Sequence, residues 1–408
     1  MERTLAILSL MATLLIILSG CTDKTNPTGN NWSNQPPQSF VDDSGFDLGF
    51  SYKTQVSVKG DETNLLCGDF DGTQSVIVTH FSALPDSFQI PTTRAYADST
   101  WLQLTVIRQR EDVSGPTVLT LYKLDQFWKE DAAQDVLDAN MTQIGSPFEL
   151  PDSVSTAGTD VRIPIPISVL NDLNAADKDS LSIAVKCNAG FYAEVRSRST
   201  GRGPLLNFNY RAIDASGVLD TTDSKYSSRA VKDSYRIPTY SSEVLADELY
   251  LSNLLPWRMF VRWVDNWNLF KDQDGVTLSE ARRKQVTINK AELVFYVEDN
   301  PYYGSGVQYS LLADRVESDS VTAPMEILPA HVTAGNLSTT TFVKGDSVVV
   351  DITAQMQGFV NGKKTNRGLV IRSGQELQNY GTLRLKHFLN APAGQKPKLR
   401  VIYTPPWL

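Results

Sequence analysis

The chain has 408 residues, of which 41% are hydrophobic, 21% charged and 9% aromatic. This balance is typical of globular proteins, and the length suits two domains better than one. The formal net charge of −8 argues against nucleic-acid partners and against electrostatic docking on anionic lipid, since both would need an excess of basic residues.

The first 20 residues predict a lipoprotein signal peptide. An apolar run from Leu5 to Leu18 has the length of a signal-peptide core and is too short to span a bilayer comfortably. The sequence LSGC that ends at Cys21 resembles the bacterial lipobox. This resemblance implies cleavage before Cys21 and lipidation of that cysteine, so that the chain is anchored to a membrane without spanning it. The alternative is an ordinary signal peptide followed by an unmodified cysteine.

Residues 21–47 are predicted to be the lipidated cysteine and a flexible tether. The stretch is rich in Asn, Pro, Gln, Ser and Gly, and it holds too few apolar side chains to offset the entropy lost on ordering. A random coil of this length has an end-to-end distance of about 30 Å. The predicted location is therefore the bacterial envelope. Thr22, standing where Asp would follow the cysteine, favours the outer membrane by analogy with enteric sorting.

The rest of the chain contains an imperfect internal duplication. Four blocks recur in the same order with changing offsets: SVIVTHF (75–81) with WRMFVRW (257–263), TWLQLTV (100–106) with AELVFYV (291–297), DVRIPIPISVLNDL (160–173) with SVVVDITAQMQGFV (347–360), and GPLLNFNY (203–210) with KPKLRVIY (396–403). Most of these blocks alternate between apolar and polar residues, which predicts half-buried strands, and the third pair ends in a short helical turn.

Two copies of one β-domain are therefore predicted, at 48–212 and 226–405, with a polar linker at 213–225. Changing offsets with constant block order fit duplicated domains whose loops differ in length. Many short alternating strands, broken by Gly, Pro, Asn and Asp, predict an antiparallel β-sandwich for each copy.

The blocks resemble DNRLRE domains, which are also classed as carbohydrate-binding module family 96. The stretch NLLCGDFDGTQSVIVTHFSALP, the strand TWLQLTVIR and the ending GPLLNFNY follow the order of that family, and the second copy does so through MFVRW, KAELVFYV and KPKLRVIY. The six-letter run that names the family is absent, and His80 stands where the second copy has Arg262. The resemblance implies a jelly-roll-like β-sandwich, often found in extracellular proteins beside polysaccharide-active enzymes.

Side chains suited to catalysis are sparse in the sequence. Three histidines lie in separate blocks without zinc-site spacing, and no G-x-S-x-G motif occurs. No strand-borne spacing supplies the two carboxylates that a glycosidase needs. The stretch KDQDGVTLSEA (271–281) places Asp272 and Asp274 as a calcium loop would, but Phe270 and Ala281 stand where its first and last carboxylates belong. The sequence thus predicts neither an enzyme nor a cofactor or metal site.

Cys67 and Cys187 both lie in apolar strand-like runs. The spacing leaves two readings open, a pair of buried free thiols or a disulfide bridge, with free thiols slightly favoured.

Loop aromatics of the second copy are the candidate ligand-binding residues. Trp267, Tyr302 and Tyr303 are flanked by Asn and Asp, and sugar rings stack on aromatic faces beside side-chain amides. The alternative is that these rings plug one end of the sandwich. Trp101 and Trp263 are expected in the core, and Trp128 is expected to be structural.

Two functions compete at this stage. The first is a non-catalytic cell-surface lipoprotein that binds extracellular or cell-wall polysaccharide, which the family resemblance favours. The second is a structural or adhesive envelope protein that binds protein partners, which the scarcity of a clear aromatic platform favours.

Overall fold

The structure, a computed structural model, describes residues 36–54, 58, 60–70, 73–91, 99–110, 114–176, 178–237, 243–299, 308–317, 332–333, 338–342 and 346–406. The signal peptide, Cys21, Tyr302 and Tyr303 lie outside the described residues. Within the described part of the chain, no helix has the length and apolar character needed to cross a bilayer.

The first half of the described chain is almost entirely β-structure. Its elements are β1 (Gln38–Asp42), β2 (Phe46–Lys53), β3 (Asn64–Phe70), β4 (Thr73–Phe81), β5 (Phe88–Gln89), β6 (Thr100–Gln109), β7 (Val118–Leu124), β8 (Met141–Glu149), β9 (Thr159–Pro164), helix α1 (Ile167–Ala175), β10 (Leu181–Cys187), β11 (Tyr192–Arg196), β12 (Leu205–Ala212), β13 (Ser224–Arg229) and β14 (Lys232–Arg236). Short 3₁₀ turns span Glu130–Asp135, Asp138–Asn140 and Arg198–Thr200.

The second half repeats the same kinds of element. They are β15 (Val244–Leu245), β16 (Leu249–Ser252), β17 (Trp257–Trp263), a 3₁₀ turn (Trp267–Leu269), helix α2 (Glu280–Arg283), β18 (Thr287–Asp299), β19 (Gln308–Val316), β20 (Val332–Thr333), β21 (Ser338–Phe342), β22 (Ser347–Asp351), helix α3 (Thr353–Val360), β23 (Leu369–Ser373), β24 (Thr382–Leu385) and β25 (Lys398–Thr404).

These strands form two curled antiparallel sheets, and each sheet makes one β-sandwich-like domain. The strand order of domain 1 is β13-β12-β6-β11-β3-β4-β10-β7-β8, with β14 on β4 and β9 on β6. The order of domain 2 is β1-β25-β18-β24-β16-β17-β23-β19-β20, with β2 on β17 and β22 on β18. The two orders correspond strand by strand. The predicted all-β fold of two duplicated sandwich domains is thus confirmed.

The recurring sequence blocks occupy equivalent places in the two domains. Block 75–81 lies in β4 and its counterpart in β17, and the later blocks pair β6 with β18, β9 and α1 with β22 and α3, and β12 with β25. Their alternating apolar side chains face the two cores, which include Leu102 and Leu104 in domain 1 and Leu293 and Phe295 in domain 2. Both predicted helical turns are present.

The N-terminal boundary of the fold differs from the sequence prediction. Residues 38–42 were expected in the tether, yet they pair with residues 399–403 of β25 along their whole length. Residues 46–53 pair with β17. Both strands therefore belong to domain 2, although residues 48–53 were assigned to domain 1. We call residues 36–54, with β1 and β2, the N-terminal ribbon.

The boundary between the two repeats also moves. β13 pairs with β12 from residue 224 onwards, and β14 pairs with β4. Residues 226–236 were assigned to domain 2 from the sequence, but they complete domain 1. We call β13 and β14 the internal ribbon. Each domain is thus closed by the strand pair that precedes the other repeat in the sequence, and domain 2 is assembled from both ends of the described chain.

Aromatic packing fixes the N-terminal ribbon to domain 2. Phe50 is 1% exposed and stacks on Phe260 with the ring centroids 5.0 Å apart. Phe40 meets Phe270 edge to face at 5.1 Å. His387 shares a hydrogen bond of 3.0 Å with the carbonyl of Gly49 through its Nε2 atom. Because these contacts come from both strands, the ribbon is part of the domain's core and not a loosely attached arm.

The loop formed by residues 374–381, between β23 and β24, joins the two domains. The Tyr380 ring stacks on Tyr192 of domain 1 with a centroid distance of 4.4 Å, and its hydroxyl lies 2.5 Å from the Ser75 hydroxyl. Tyr235 donates to the Leu377 carbonyl at 2.6 Å. Leu377 adopts a φ of 62°, a left-handed conformation that costs a non-glycine residue about 1 kcal/mol or more. Its buried contacts hold that conformation.

Both cysteines of the described chain are free and buried, as the sequence slightly favoured. Burial raises the pKa of Cys67 well above its usual value and that of Cys187 to about 12. Both thiols therefore stay protonated at neutral pH and behave as small apolar side chains.

We expect Phe50→Ala to destabilise the protein strongly. The substitution removes a buried ring and leaves a cavity beside Phe260, a change that costs about 3–5 kcal/mol in protein cores. Equilibrium unfolding in denaturant measures it. Val41→Ala on the same ribbon is the matched control, since Val41 is 58% exposed and should change stability by no more than about 0.5 kcal/mol. Equal, small effects of the two substitutions would show that the ribbon is an unfolded tether after all.

Candidate functional site

The candidate aromatics of the second copy are only partly described. Trp267 lies in the 3₁₀ turn after β17 and is half-buried, with Phe270 of the domain 2 core 6.1 Å from its ring. The guanidinium carbon of Arg283 lies 3.9 Å from its ring centroid. One face of Trp267 therefore already carries a cation, as in a structural cation–π contact. Tyr302 and Tyr303 lie outside the described residues.

The tryptophans assigned to structural roles are buried to different degrees. Trp263 is 3% and Trp128 is 5% exposed, which confirms both as core residues. Trp101 is half-buried, and the guanidinium of Arg162 lies 5.4 Å from its ring. It therefore lines the surface of β6 instead of filling the core.

A cleft of about 510 Å³ opens at one edge of domain 1. Its lining includes His80 on β4, Lys123 at the end of β7, Phe127 in the following loop, Lys178 before β10 and Lys232 on β14. We call it the lysine cleft. Clefts of this size are typical of small-ligand sites.

The row of side chains at the cleft follows from strand register. On β4, His80 stands opposite Ser182 of β10 on one side and opposite Lys232 of β14 on the other. Lys123 is two strands away, opposite Ile183. The internal ribbon therefore contributes Lys232 to the cleft through the pairing of β14 with β4.

Neighbouring aromatics in the loop after β7 take opposite directions. Phe127 is 78% exposed, whereas Trp128 is buried and donates from its Nε1 atom to the Ser182 hydroxyl at 3.3 Å. Gln126 fixes this loop, because its Oε1 atom accepts from the Leu137 amide at 3.0 Å and from Asn140 at 2.8 Å. Consecutive side chains of an extended segment point to opposite sides, so seating Trp128 in the core presents Phe127 to solvent.

The cleft carries more positive than negative side chains. Among its lining residues, Asp125 is the one carboxylate, and it lies 3.3 Å from the Lys123 ammonium. The Lys232 ammonium lies 5.2 Å from the centroid of the Phe127 ring. Burial, and then the positive charge of Lys232, lower the pKa of His80. The imidazole is therefore neutral at pH 7 and offers hydrogen bonds, while the lysines supply the charge.

The position equivalent to His80 has a different environment in domain 2. Arg262, the counterpart of His80, faces Leu48 where His80 faces Lys232. Its guanidinium donates to both carboxylate oxygens of Asp47, from Nη2 to Oδ2 at 2.9 Å and from Nε to Oδ1 at 3.2 Å. The cation of the second copy is thus neutralised by the N-terminal ribbon, and no lysine stands opposite it.

The loop that carries Phe127 is also fixed by hydrogen bonds of Glu130 with Asp233 and Arg198. Glu130, which follows it, accepts from the Asp233 amide at 2.9 Å and forms paired hydrogen bonds of 3.0 Å with Arg198. The Asp233 carboxylate accepts from the Arg198 amide at 2.6 Å. Since Lys232 and Asp233 are adjacent on β14, Lys232 faces the cleft and the buried Asp233 faces the partly exposed pair of Glu130 and Arg198.

Metal ligands are not gathered among the described residues: they contain no group of three or more His, Cys, Asp or Glu side chains placed to hold an ion. In the loop that resembles a calcium site, the Asp272 carboxylate accepts from the amides of Asp274 at 3.1 Å and Val276 at 2.9 Å. Asp272 thus stabilises an Asx-type turn.

Sequence reasoning missed Phe127 and the lysines around it. The stretch DQFWKED shows two adjacent aromatics, and that pattern alone could have suggested one ring inside and one outside. The convergence of Lys123, Lys178 and Lys232 has no local signal, because it depends on the pairing of β14 with β4.

Comparisons with known proteins add little to this description. No protein-family model matches the chain, and no curated relative matches it. Among solved structures, a chain of "Structure of infectious bursal disease virus Gx strain" is similar at 10% sequence identity, covering 91% of this chain and 80% of that one, with a TM-score of 0.11. A likeness of this size carries no argument about fold or function.

The buried Asp233 gives a pH-dependent prediction. Burial raises its pKa to about 6, above the value of about 3.9 expected in an unfolded chain. Its ionised form is thus less favourable in the folded state, so stability is lost as the pH rises from 4 through 6. We expect the difference in unfolding free energy between Asp233→Asn and the wild type to shift by about 2–3 kcal/mol in favour of Asn between pH 4 and pH 7.

Urea unfolding of both proteins at each pH measures this shift. Asp160→Asn is a matched control, because Asp160 is exposed on β9. A pH-independent difference between Asp233→Asn and the wild type would contradict the raised pKa.

Proposed function

We propose that this chain is a non-catalytic cell-surface lipoprotein whose lysine cleft binds an extracellular or cell-wall polysaccharide. The observation that carries the proposal is the exposed Phe127 ring, which stands at the rim of the cleft beside Lys232. The loop that presents this ring is held by the hydrogen bonds of Gln126, and an exposed aromatic face beside a cleft is suited to stacking on a ligand ring. The resemblance to DNRLRE domains supports the same function.

The chemistry of the cleft suits a sugar with acidic groups. A pyranose ring offers an apolar face for Phe127, and its hydroxyls match the hydrogen-bonding side chain of His80. The ammonium groups of Lys123, Lys178 and Lys232 favour carboxylate or sulfate substituents. They do so in a chain whose net charge is −8, so a negatively charged glycan would be repelled elsewhere and attracted here.

Binding without hydrolysis fits the lining of this cleft. Glycosidases use two carboxyl groups about 5 to 10 Å apart, whereas the cleft lining holds Asp125 alone, ion-paired with Lys123. The neutral His80 has no carboxylate hydrogen-bonded to it among the described residues; its Nδ1 atom meets the Ser182 hydroxyl at 2.9 Å. This set of groups supports recognition and gives no acid–base pair.

The loop aromatics of domain 2 remain a second predicted location for sugar stacking. Trp267 and Phe127 each have a cation on one ring face, but Trp267 is half-buried whereas Phe127 is 78% exposed. The contribution of Tyr302 and Tyr303 is a prediction from the sequence. The lysine cleft is the better supported location because its exposed ring, polar groups and volume are found together.

We expect Phe127→Ala to weaken glycan binding while leaving stability nearly unchanged. Loss of one stacking contact of about 1 kcal/mol corresponds to roughly fivefold weaker binding. A glycan array on a soluble form that starts at residue 36, followed by titration of the best ligand, measures this. Leu137→Ala is the control, since Leu137 is 56% exposed in the same domain but does not line the cleft.

Two results would count against the cleft. Binding that survives Phe127→Ala but is lost in the triple Trp267, Tyr302 and Tyr303 alanine variant would move the site to domain 2. A folded protein that binds no glycan on the array would favour the structural role with protein partners.

Binding at the cleft should also weaken as salt is added, because the lysine charges are screened.

The lipid anchor is tested separately. Metabolic labelling with a lipid probe should tag the wild-type chain, and Cys21→Ala should lose both the label and the membrane fraction. The reason is that Cys21 is the predicted site of the acyl chains, which hold the protein by about 0.8 kcal/mol per buried methylene. Cys67→Ala is the control, because that thiol is buried. Labelling that persists in Cys21→Ala would remove the anchor from the proposal.

A further inference from the structure

The N-terminal ribbon closes domain 2 across a very long stretch of chain. Val41 of β1 stands opposite Arg400 of β25, and Phe50 of β2 stands opposite Phe260 of β17. The whole of domain 1 lies between these partners in the sequence. Without the ribbon, β25 and β17 would each expose an unpaired edge, the kind of edge to which another extended segment adds readily.

The internal ribbon offers a direct comparison. Asn209 of β12 stands opposite Lys225 of β13, and the two residues are joined by a short connection within domain 1. The entropy lost on closing a loop grows with its length, so domain 1 closes easily within one chain. Domain 2 closes only when the N-terminal ribbon, which is distant in the sequence, pairs with β25 and β17. Its closing contacts are among the most non-local in the molecule.

The ribbon and domain 1 behave as one unit. The Thr54 amide donates to the Pro256 carbonyl of domain 2 at 3.0 Å, while Val58 is buried in the core of domain 1. Because only three residues separate Thr54 from Val58, any domain that receives the ribbon must also receive domain 1. The contacts of Tyr380 and Leu377 with domain 1 would then be remade with the same partners.

We propose that domain 2 also takes the N-terminal ribbon of a second copy of this chain, in a dimer that exchanges the ribbon together with domain 1. The strand pairings and interdomain contacts described above are kept in such a dimer, in which the two chains cross between β14 and β15. Exchange of an identical element has a low energetic cost for this reason. It becomes effective where copies are concentrated, as they are on a membrane surface.

Cysteine pairs placed across β1 and β25 test the exchange. Two differently tagged versions of the chain from residue 22 onwards carry Val41→Cys and Arg400→Cys, respectively. Both positions are on the surface, and the native thiols are buried. The two versions are unfolded together, refolded at high protein concentration and oxidised. The expected result is a disulfide that joins one chain of each kind, in a species of twice the monomer mass.

Three controls make the result decisive. One chain that carries both Val41→Cys and Arg400→Cys should form the disulfide internally when refolded in dilute solution, which shows that the pair is competent. Separate chains with Asn209→Cys and Lys225→Cys should give no mixed disulfide, because domain 1 closes within its own chain. Light scattering on the unsubstituted chain after the same refolding should show a dimer. A competent internal pair with no mixed disulfide, or an unsubstituted chain that stays monomeric, would overturn the exchange.

Discussion

Backbone pairing of the N-terminal ribbon with domain 2 is the constraint on which the arrangement of the whole chain depends. β1 extends one layer of the sandwich at β25, and β2 extends the other layer at β17. The N-terminal ribbon therefore completes both layers. Displacing it would open two sheet edges and the aromatic cluster around Phe50 and Phe260. Domain 2 is therefore tied to the segment nearest the predicted membrane anchor, and domain 1 is held between them.

The interface between the domains reinforces the same constraint. Residues 374–381 form a longer connection than residues 188–191, which link the equivalent strands of domain 1. The extra length carries Leu377 and Tyr380 into the core of domain 1, where Leu254 and Leu255 of domain 2 also pack. Burial raises the pKa of Tyr380 well above its usual value, so the hydroxyl remains a neutral hydrogen-bonding partner of Ser75. Because of these buried contacts, the two domains share an interface and are not independent domains joined only by a linker.

The parts of the fold that could be predicted are those with a local signal. Strands β6 and β18 carry apolar residues at every second position, including Leu102 and Leu104 in β6 and Leu293 and Phe295 in β18, and these side chains lie in the two cores. The ribbon strands lack that signal. The sequence SKYSSR of β13 buries no residue fully, and QSFVD of β1 has two apolar residues, Phe40 and the exposed Val41, side by side. Both are strands because of partners far away in the sequence, which composition does not reveal.

The same reasoning explains what was missed at the candidate site. Loop aromatics flanked by Asn and Asp pointed to Trp267, but its position depends on Arg283, a residue of another element whose approach the sequence does not show. At Phe127 the local pattern was visible, and its meaning depended on which of two adjacent rings the fold buries. Exposure of a ring is set by tertiary packing, so side chains that bind ligands are harder to predict than strands.

Duplication followed by divergence accounts for the different surfaces of the two domains. At one equivalent position, domain 1 has His80 facing Lys232, whereas domain 2 has Arg262 facing Leu48 and paired with Asp47. In both cases the closing ribbon decides the local charge: the internal ribbon adds a lysine, and the N-terminal ribbon adds a carboxylate. Since each ribbon precedes the other repeat in the sequence, a substitution in one repeat's leading strands alters the surface of the other domain. The lysine cleft of domain 1 is therefore encoded partly in a strand that precedes the second repeat in the sequence.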